Sequence, residues 1–377
     1  MTGLRVLSVF GTRPEAIKMA PLVQALAQEP GMESRVCVTG QHRQMLDQVL
    51  SLFRIVPEYD LDLMVPGQDL AQVTTAVLQG LAPVLVQARP DLVLVHGDTT
   101  TTLASALACY YAKIPVGHVE AGLRTGNIYA PWPEEVNRRL TAGIARLHFA
   151  PTDGAAKALR NEAVPVDWIH VTGNTVIDAL QDIAGRFDTD PQLAAQMQAH
   201  FKLPTQCRII LVTGHRRESF GHGFDQICAA LRTLADRPDV HLVYALHPNP
   251  RVRIAVEAAL GGHPHVSLIE PQSYLSFVYL MKQADLILTD SGGIQEEAPS
   301  LGVPVLVMRD TTERPEALRA GTVRLVGTEA SRIEAEVIRL LDNSVARSAM
   351  ILATNPFGDG TASQQIIEVL RDWARYG

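Results

Sequence analysis

The sequence predicts an α/β fold built from two doubly wound parallel sheets. Short β-branched runs recur along the chain, and each is followed by a turn and then by a longer helical pattern. A parallel sheet requires this alternation, because every crossover must be long enough to return to the same edge. The chain has 377 residues, of which 47% are hydrophobic, and this is more than one domain usually needs. We therefore expect two domains.

Twelve runs are predicted to be strands, and they divide into two groups of six. The first group contains LRVLSVFG, RVCVTG, DLVLVHGD, IPVGHVE, LHFAP and WIHVTGN, and the second contains RIILVTGH, HLVYALH, VSLIEP, DLILTDS, VPVLVM and TVRLVG. The helical segment TVIDALQDIAGRF and the polar stretch DTDPQLAAQMQAHFKLPTQ separate the two groups. The boundary between the sheets is therefore expected after Asn174.

Two segments share one layout, which supports two similar halves. Residues 91–119 and 285–308 each run from a strand through an Asp-bearing turn and a helix of small residues to a Pro-Val strand. Either the halves arose by duplication, or the similarity is the one that all βαβ units share. In both interpretations the carboxyl ends of the strands border a cleft between two sheets, where ligands bind in this architecture.

Composition excludes several classes of protein. The four cysteines form no C-x-x-C pair, so they indicate neither a disulfide framework nor a zinc site, and they suit a reducing cytoplasm. The N-terminal run MTGLRVLSVFG is too short for a signal peptide, and no apolar segment is expected to reach membrane-spanning length. A net charge of -7 without charged blocks argues against nucleic acid as the main partner.

The stretch TDSGGIQEE places a glycine pair between a predicted strand and a predicted helix. Backbone N–H groups at a helix N-terminus attract anions, and Gly292 and Gly293 allow a large ligand to approach the backbone. Glu297, about one turn further on, is suited to accept hydrogen bonds from sugar hydroxyls. The alternative is that Ser291, or Asp290 before it, simply caps the helix. A ligand that is anionic at one end and hydroxylated beside it, such as a nucleotide, fits the first interpretation.

Cationic side chains beside predicted strand ends are suited to hold the anion. The usual nucleotide signatures, G-x-G-x-x-G and G-x-x-x-x-G-K-[ST], are absent from the sequence, so the phosphate site is of another kind. Each cation alone is an ordinary surface charge, but together they indicate an anion site. The cations are Arg13, Lys18, His215, Arg216 and Arg314.

Carboxylates give the sharper indication of chemistry. Asp98 and Glu120 end consecutive predicted strands, and Glu134 and Glu135 open the helix after YAPWP. In the structural alternative, Asp98 only caps a helix and Glu134 only complements a helix dipole. Acids gathered beside a diphosphate are costly unless one of them carries a proton with a raised pKa. The pattern therefore favours general acid–base chemistry.

Nine longer stretches carry a family resemblance that extends from Val6 to about Gly360. They are VFGTRPEAIKMAPLV, TGQHRQMLDQVL, LVHGDTTTTLA, HVEAGLRTG, PWPEEVNRRL, TGNTVIDAL, VTGHRRESFG, LTDSGGIQEEAPSLGVPVLVMRDTTERPEA and GTVRLVGT. In these stretches the chain closely resembles the non-hydrolysing UDP-N-acetylglucosamine 2-epimerases of bacteria. The stretches are long and specific, and they cover nearly the whole chain.

The resemblance implies a GT-B type architecture, in which two Rossmann-like domains face a cleft and the C-terminal helix crosses back to the first domain. The expected domains are residues 1–172 joined by about 362–377, and a UDP-binding domain of residues 173–361. The resemblance also implies an isomerase that interconverts UDP-N-acetylglucosamine (UDP-GlcNAc) and UDP-N-acetylmannosamine (UDP-ManNAc). Such an enzyme works as a homodimer and supplies ManNAc units for surface polysaccharides.

The resemblance also implies site residues, position by position. Glu297 would take the ribose hydroxyls, and Phe277 would lie near the uracil. The residues implied to be catalytic are Lys18, Asp98, Glu120, Glu134 and His215. The implied contacts to the UDP-sugar are Arg13, Lys18, Asp98, Glu120, His215, Gln272, Phe277, Ser291, Gly292, Gly293, Glu297 and Arg314. Some members bind a second UDP-GlcNAc as an activator, and part of that pocket is similar to Gln41, His42 and Gln44.

The family's reaction is an elimination followed by an addition. UDP leaves carbon 1 while a base removes the proton from carbon 2, and protonation of 2-acetamidoglucal from the opposite face precedes the return of UDP. No metal or redox cofactor is expected, because charged side chains suffice for this chemistry. Asp98 and Glu120 are favoured as the proton-transfer pair, and which of them is acid and which is base stays open. The rival interpretations are a glycosyltransferase of the same architecture, a UDP-sugar binding module and a hydrolysing epimerase.

Overall fold

The chain divides into two compact units, Met1–Ala179 with Phe357–Gly377, and Leu180–Pro356. A computed structural model describes residues 3–40, 43–65, 67–214 and 221–376, without the side chains of residues 44 and 376. Each unit has a parallel sheet whose successive strands are joined mostly through helices, so the predicted fold class is confirmed. The functional domains expected from the sequence, 1–172 with about 362–377 and 173–361, stay predictions.

The first unit has, in its described part, a seven-stranded parallel sheet. Its strands are β1 (Leu4–Phe10), β2 (Met32–Val38), β3 (Tyr59–Asp60), β4 (Leu92–His96), β5 (Val116–Val119), β6 (Leu147–Ala150) and β7 (Ile169–Val171). They lie in the order β3-β2-β1-β4-β5-β6-β7, so the direction of winding reverses between β1 and β4. All five residues of β4 are buried, as expected for a strand covered on both faces. The carboxyl ends of β1 and β4 form the switch point at which such sheets bind ligands.

Helices cover this sheet, and one of them contains the boundary between the units. They are α1 (Arg13–Gln28), α2 (Arg43–Leu52), α3 (Leu70–Ala88), α4 (Thr100–Tyr111), α5 (Glu134–Ile144), α6 (Asp153–Asn161), α7 (Thr175–Thr189) and α16 (Ala362–Tyr376). The boundary at residues 179 and 180 falls within α7. The chain therefore leaves the first unit after residue 179 and returns to it at residue 357.

The C-terminal helix α16 belongs to the first unit. The buried carboxylate of Asp178 accepts the backbone N–H of Ser363 at 2.7 Å and that of Ala362 at 3.3 Å. These are donors in the first turn of α16, which has no earlier turn to satisfy them. Near the other end of the helix, Arg371 donates to the Glu29 carboxylate that follows α1. The first unit therefore holds α16 at both ends.

Two features of the first unit differ from expectation. Strand β3 was not predicted, because it has only two residues and pairs with β2 at Cys37 and Val38 alone. Helix α3 has 19 residues, a mean hydropathy of 1.3 and only 22% of its apolar window buried. By length and composition alone it is able to cross a membrane, so the expectation that no segment reaches that length is wrong. A core helix of a soluble protein passes the same test.

The second unit has a six-stranded parallel sheet in its described part. Its strands are β8 (Arg208–Thr213), β9 (Val240–Ala245), β10 (Val266–Ile269), β11 (Leu286–Thr289), β12 (Val305–Val307) and β13 (Val323–Leu325). Its helices are α8 (Pro191–Phe201), α9 (His222–Ala235), α10 (Pro250–Leu260), α11 (Tyr274–Gln283), α12 (Gly292–Glu297), α13 (Pro315–Ala320), α14 (Ala330–Asp342) and α15 (Ser344–Ile351). The strand order is β10-β9-β8-β11-β12-β13, so winding reverses between β8 and β11.

Helix α8 lies within the polar stretch that was expected only to separate the two groups of strands. Asp190 caps it, because its carboxylate accepts the backbone N–H groups of Gln192 and Leu193 at 3.0 Å each. Pro191 occupies the first turn, where its missing N–H has no cost. The capping residues therefore allow this polar segment to form a helix.

Candidate active site

Glu15 joins the turn after β1 to the turn after β4. One carboxylate oxygen accepts the backbone N–H groups of Gly11 at 3.0 Å and Thr12 at 2.7 Å. The other accepts the hydroxyls of Thr99 at 2.5 Å and Thr102 at 3.1 Å. The sequence analysis assigned no role to Glu15, although Thr12 and Glu15 have the spacing of a capping box, which the structure contains. One buried carboxylate thus holds together both turns of the switch point.

Asp98 lies on the second of these turns, and its surroundings suit a proton carrier. Desolvation by burial raises the pKa of Asp98 to about 6, and the nearby Glu120 and Glu134 carboxylates also raise it. Arg138, whose guanidinium lies 2.9 Å from the Asp98 carboxylate, lowers it, as does Lys18. Four residues implied to be catalytic therefore interact electrostatically at one edge of the first sheet. These four residues are Lys18, Asp98, Glu120 and Glu134.

The alternative in which Asp98 caps helix α4 is wrong. Thr99 occupies the cap position, and its hydroxyl oxygen accepts the backbone N–H of Thr102 at 3.1 Å. The amide of Asn137 donates to the backbone carbonyl of Asp98 at 2.9 Å. The Asp98 carboxylate is therefore available to Arg138 and does not cap the start of the helix.

Glu120 follows β5 in an unusual backbone conformation. Its φ angle is 60°, in the left-handed region, which costs a non-glycine residue on the order of 1–3 kcal/mol. The Lys18 ammonium and the Asn174 amide both donate to Oε2 of its carboxylate, the latter at 2.8 Å. The His96 imidazole lies 3.9 Å from the same oxygen. Glu120 therefore has both a strained backbone and a carboxylate that accepts hydrogen bonds from two sides.

His96 is a buried neighbour of this cluster that the sequence analysis did not single out. Burial lowers the pKa of His96 to about 4, so its ring is neutral near pH 7. His118, on the adjacent strand β5, is also buried, and burial lowers its pKa to about 3. Lys18 is therefore the cation directly bonded to Glu120 in this part of the described structure, and neither histidine adds a positive charge.

The two acids that open α5 have different surroundings. Glu134 is the first residue of the helix, as the dipole interpretation requires, and it is close enough to Asp98 to raise that group's pKa. Glu135 is fully buried and accepts the backbone N–H groups of Thr125 at 3.0 Å and Gly126 at 3.2 Å. Glu134 therefore belongs to the acidic cluster, and Glu135 holds the loop before the helix.

In the second unit, the two adjacent acids that follow the glycine turn have different partners. The buried Glu296 carboxylate is ion-paired with Arg314. The Glu297 carboxylate instead accepts the Tyr274 hydroxyl at 2.9 Å. Consecutive helical side chains point about 100° apart, so one acid faces the arginine and the other faces helix α11. Glu297 is a site residue predicted from the sequence, whereas the pairing of Glu296 with Arg314 is not predicted.

Among the described residues, no side chain caps the N-terminus of α12 as Thr12 caps α1. Ser291 occupies the cap position, and within the described residues its side chain makes no capping hydrogen bond. A Cβ added to Gly292 would lie 3.8 Å from the Arg314 guanidinium, so this cation is next to the start of the helix. The contacts of the described side chains therefore do not support the alternative in which Ser291 simply caps the helix.

The remaining contacts implied by the resemblance are divided between the units. Gln272 and Phe277 lie after β10, on the loop and helix beside Tyr274, and the Gln272 amide donates to the Glu270 carbonyl at 2.7 Å. Arg13 is the first residue of α1 in the first unit. Within the described residues, no group of three or more His, Cys, Asp or Glu side chains is arranged to hold a metal ion. His215, Arg216, Gln41 and His42 lie outside the described residues, as does the side chain of Gln44.

Similar proteins share one description. A family profile described as UDP-N-acetylglucosamine 2-epimerase matches residues 24–371. The chain is 59% identical over 371 residues to the UDP-N-acetylglucosamine 2-epimerase of Yersinia pestis, covering 98% of this chain and 99% of the relative. It is 58% identical to that of Escherichia coli K12, with the same coverage.

Solved structures agree with these relatives. The crystal structure of UDP-GlcNAc 2-epimerase from Neisseria meningitidis bound to UDP-GlcNAc has a TM-score of 0.90 at 51% identity, covering 98% of this chain and 100% of that one. The enzyme of Methanocaldococcus jannaschii in complex with UDP-GlcNAc and UDP has a TM-score of 0.79 at 31% identity, with the same coverage. The chain belongs to the UDP-N-acetylglucosamine 2-epimerase family.

Proposed function

We propose that this chain interconverts UDP-GlcNAc and UDP-ManNAc by reversible epimerisation at carbon 2. Membership of the family and the Neisseria relative bound to UDP-GlcNAc support the substrate. The observation that carries the chemistry is the acidic cluster of the first unit, where burial raises the pKa of Asp98 to about 6. A carboxyl group that titrates near the working pH is an effective proton carrier in either direction.

The proposed reaction divides into an elimination and an addition. The bond from carbon 1 to the UDP oxygen breaks, and a base takes the proton from carbon 2, which leaves 2-acetamidoglucal and anionic UDP. A second acid delivers a proton to the opposite face of carbon 2 before UDP adds back to carbon 1. Asp98 and Glu120 are the proposed proton-transfer pair, and Glu134 positions them or shares the role. Ionic contacts with Arg138 and Lys18 support ionised forms of Asp98 and Glu120 respectively.

The second unit is proposed to hold UDP. Backbone N–H groups at Gly292 and Gly293, with the neighbouring Arg314, suit the diphosphate. Glu297 is proposed to accept the ribose hydroxyls, and Phe277 to lie against the uracil. Gln272 and Ser291 complete this set, and His215 and Arg13 are proposed to stabilise the charge on departing UDP.

A homodimer in the cytoplasm is also proposed. Helix α3 is apolar, and only 22% of its apolar window is buried. Three nearby side chains at the ends of α3 and α4 are largely exposed, Val86, Tyr110 and Tyr111. Exposed apolar patches of this kind mark interaction surfaces, and a second copy of the chain would cover this one. The cysteines within the described structure are free thiols, which suits a reducing compartment. Supply of ManNAc units for surface polysaccharides is the proposed role.

The test is incubation of the purified protein with UDP-GlcNAc and no acceptor, followed by proton NMR of the products. The proposal expects UDP-ManNAc to appear until the two sugar nucleotides reach equilibrium. Bound but unchanged UDP-GlcNAc would contradict it and favour a transferase or a binding module. Release of free ManNAc and UDP would indicate a hydrolysing epimerase.

A further inference from the structure

Asn174 lies between β7 and α7, where its side-chain amide is held at both ends. The residue is buried, with only 2% of its surface exposed. Its Oδ1 accepts the backbone N–H of Val176 at 3.1 Å, and its Nδ2 donates to Oε2 of Glu120 at 2.8 Å. An amide has one accepting and one donating end, so the bond to Val176 determines that the end facing Glu120 is the donor.

The backbone of Asn174 is anchored to the place where the chain returns to the first unit. Its N–H donates to the carbonyl of Phe357 at 2.7 Å. A Cβ added to the neighbouring Gly173 would meet that carbonyl at 3.2 Å and Gly358 at 3.3 Å, so the two segments are in direct contact. The segment that leads into α7, which contains the boundary at residues 179 and 180, therefore meets the returning chain at residue 357 through this backbone amide.

On the other side of the bond, titratable groups from α1, from β4 and from the turn after β4 face Glu120. The Lys18 ammonium from α1 donates to the same oxygen as Asn174. The His96 ring from β4 is neutral near pH 7, and the Asp98 carboxylate belongs to the next turn. Two donors on one oxygen, one charged and one neutral, set the orientation of the carboxylate more narrowly than either does alone.

We infer that Asn174 is a positioning residue, which holds the Glu120 carboxylate in its working orientation and links that orientation to the two chain connections of the first unit. The inference rests on the proposed function, because it concerns how Glu120 is placed for proton transfer. A misplacement of about 1 Å costs a reaction roughly 100-fold in rate, so one buried hydrogen bond is sufficient to matter.

Asn174→Asp separates this role from helix capping. Aspartate caps a helix as well as asparagine does, so the bond to the Val176 N–H is retained. The donor to Glu120 is lost, and a second carboxylate takes its place. We expect kcat to fall by about 100-fold with KM for UDP-GlcNAc and UDP affinity unchanged. The acid limb of the pH profile of kcat moves to higher pH, because an added negative charge beside Glu120 favours the protonated form of a carboxyl group in this cluster.

Asn174→Ser is the second variant, because serine also caps the helix but is too short to reach Glu120. We expect it to lower kcat without moving the pH limb, which would separate loss of position from added charge. The matched control is Asp178→Asn, which weakens the hydrogen bonds to α16 close to the same chain connection and does not touch Glu120. It is expected to lower the melting temperature and to leave kcat unchanged.

Each rate is divided by the folded fraction measured by circular dichroism, so that loss of folding is not counted as loss of catalysis. Wild-type kcat and an unmoved pH limb in both Asn174 variants would overturn the inference and leave the proposed function standing. A kcat loss in Asp178→Asn equal to that in the Asn174 variants would also overturn it, since it would show a general effect of the chain connection. Wild-type protein that does not convert UDP-GlcNAc would remove the proposed function and the inference together.

Discussion

The turns after β4 and β11 lie in equivalent places of the two sheets, beside the strand at which winding reverses. Both carry an aspartate and lead into a helix. In the first, Thr99 caps helix α4 and binds Glu15, and the Asp98 side chain, 28% exposed, lies beside Arg138. In the second, Asp290 is buried, Ser291 makes no capping bond within the described residues, and two glycines begin the helix.

The difference supports the proposal that one strand–turn–helix layout serves two kinds of chemistry. Where the protein's own side chains satisfy the hydrogen bonds of the turn, the group left to contact a ligand is a carboxylate. Its pKa is determined by its surroundings. Where the described residues provide no side-chain cap and the first helical residues are glycines, the group presented is the backbone itself, with Arg314 beside it. This contrast supports the proposed roles, proton transfer in the first unit and diphosphate binding in the second.

Removing the charge of Asp98 is expected to have the largest effect. Asp98→Asn should lower kcat by about 1000-fold, because a proton carrier is lost, and should leave UDP affinity unchanged. Stopped assays for kcat and titration calorimetry with UDP measure the two quantities. The equivalent change Asp290→Asn removes no proton carrier, so its kcat should fall far less. Equal losses of kcat in the two variants would contradict the division of roles.

Removing the carboxylate that joins the first unit's turns should act mainly on stability. Glu15→Ala deletes the acceptor of four hydrogen bonds in a buried place, so we expect a loss of about 2–4 kcal/mol in the free energy of unfolding. Differential scanning calorimetry measures the change. The control is Asp47→Ala, whose ion pair with Arg43 is exposed and contributes little. Similar melting temperatures for both variants would show that Glu15 does not hold the turns.

Gly293→Ala is designed to separate fold from ligand in the second unit. An added Cβ would lie 3.5 Å from the Glu297 carboxylate, an ordinary contact, so the helix should gain up to about 1 kcal/mol of stability. The same methyl group would obstruct a diphosphate, and we expect UDP affinity to fall by about tenfold. Gly185→Ala in α7, where a Cβ meets nothing within 4 Å, is the control for stability alone. Unchanged UDP affinity in Gly293→Ala would remove this turn from the UDP site.

The smallest expected effect is a shift in pH dependence. Arg138 lowers the pKa of Asp98, so Arg138→Met should raise it further above about 6, and the limb of the kcat profile that reports Asp98 should move up by about one pH unit. In the direction in which Asp98 is the base, activity is then lost at a higher pH as the solution is acidified. Arg139→Met is the control, because Arg139 pairs with Glu135 instead. A limb that moves equally in both variants would argue against Asp98 as its origin.

The sequence was sufficient for the fold class and for the placement of charged turns at strand ends. Alternating strand and helix patterns have local causes, and β3 was missed because two residues carry too little pattern. The two hydroxyl groups that donate to Glu15, however, are 84 and 87 residues away in the chain, and no local pattern contains that distance. Glu296 and Glu297 are the same type of residue, and only the geometry of the helix determines which of them contacts Arg314. Asn174 lies within a stretch that carries the resemblance, but its bond to Glu120 depends on the folded chain.

The most direct test of the division of roles is proton NMR of wild-type protein and of Asp98→Asn with UDP-GlcNAc in deuterated water. The account predicts that the wild type forms UDP-ManNAc carrying deuterium at carbon 2. It also predicts that Asp98→Asn still binds UDP-GlcNAc but leaves the carbon 2 proton in place. Formation of UDP-ManNAc by the wild type with the original proton retained at carbon 2, or solvent exchange in Asp98→Asn at the wild-type rate, would contradict it.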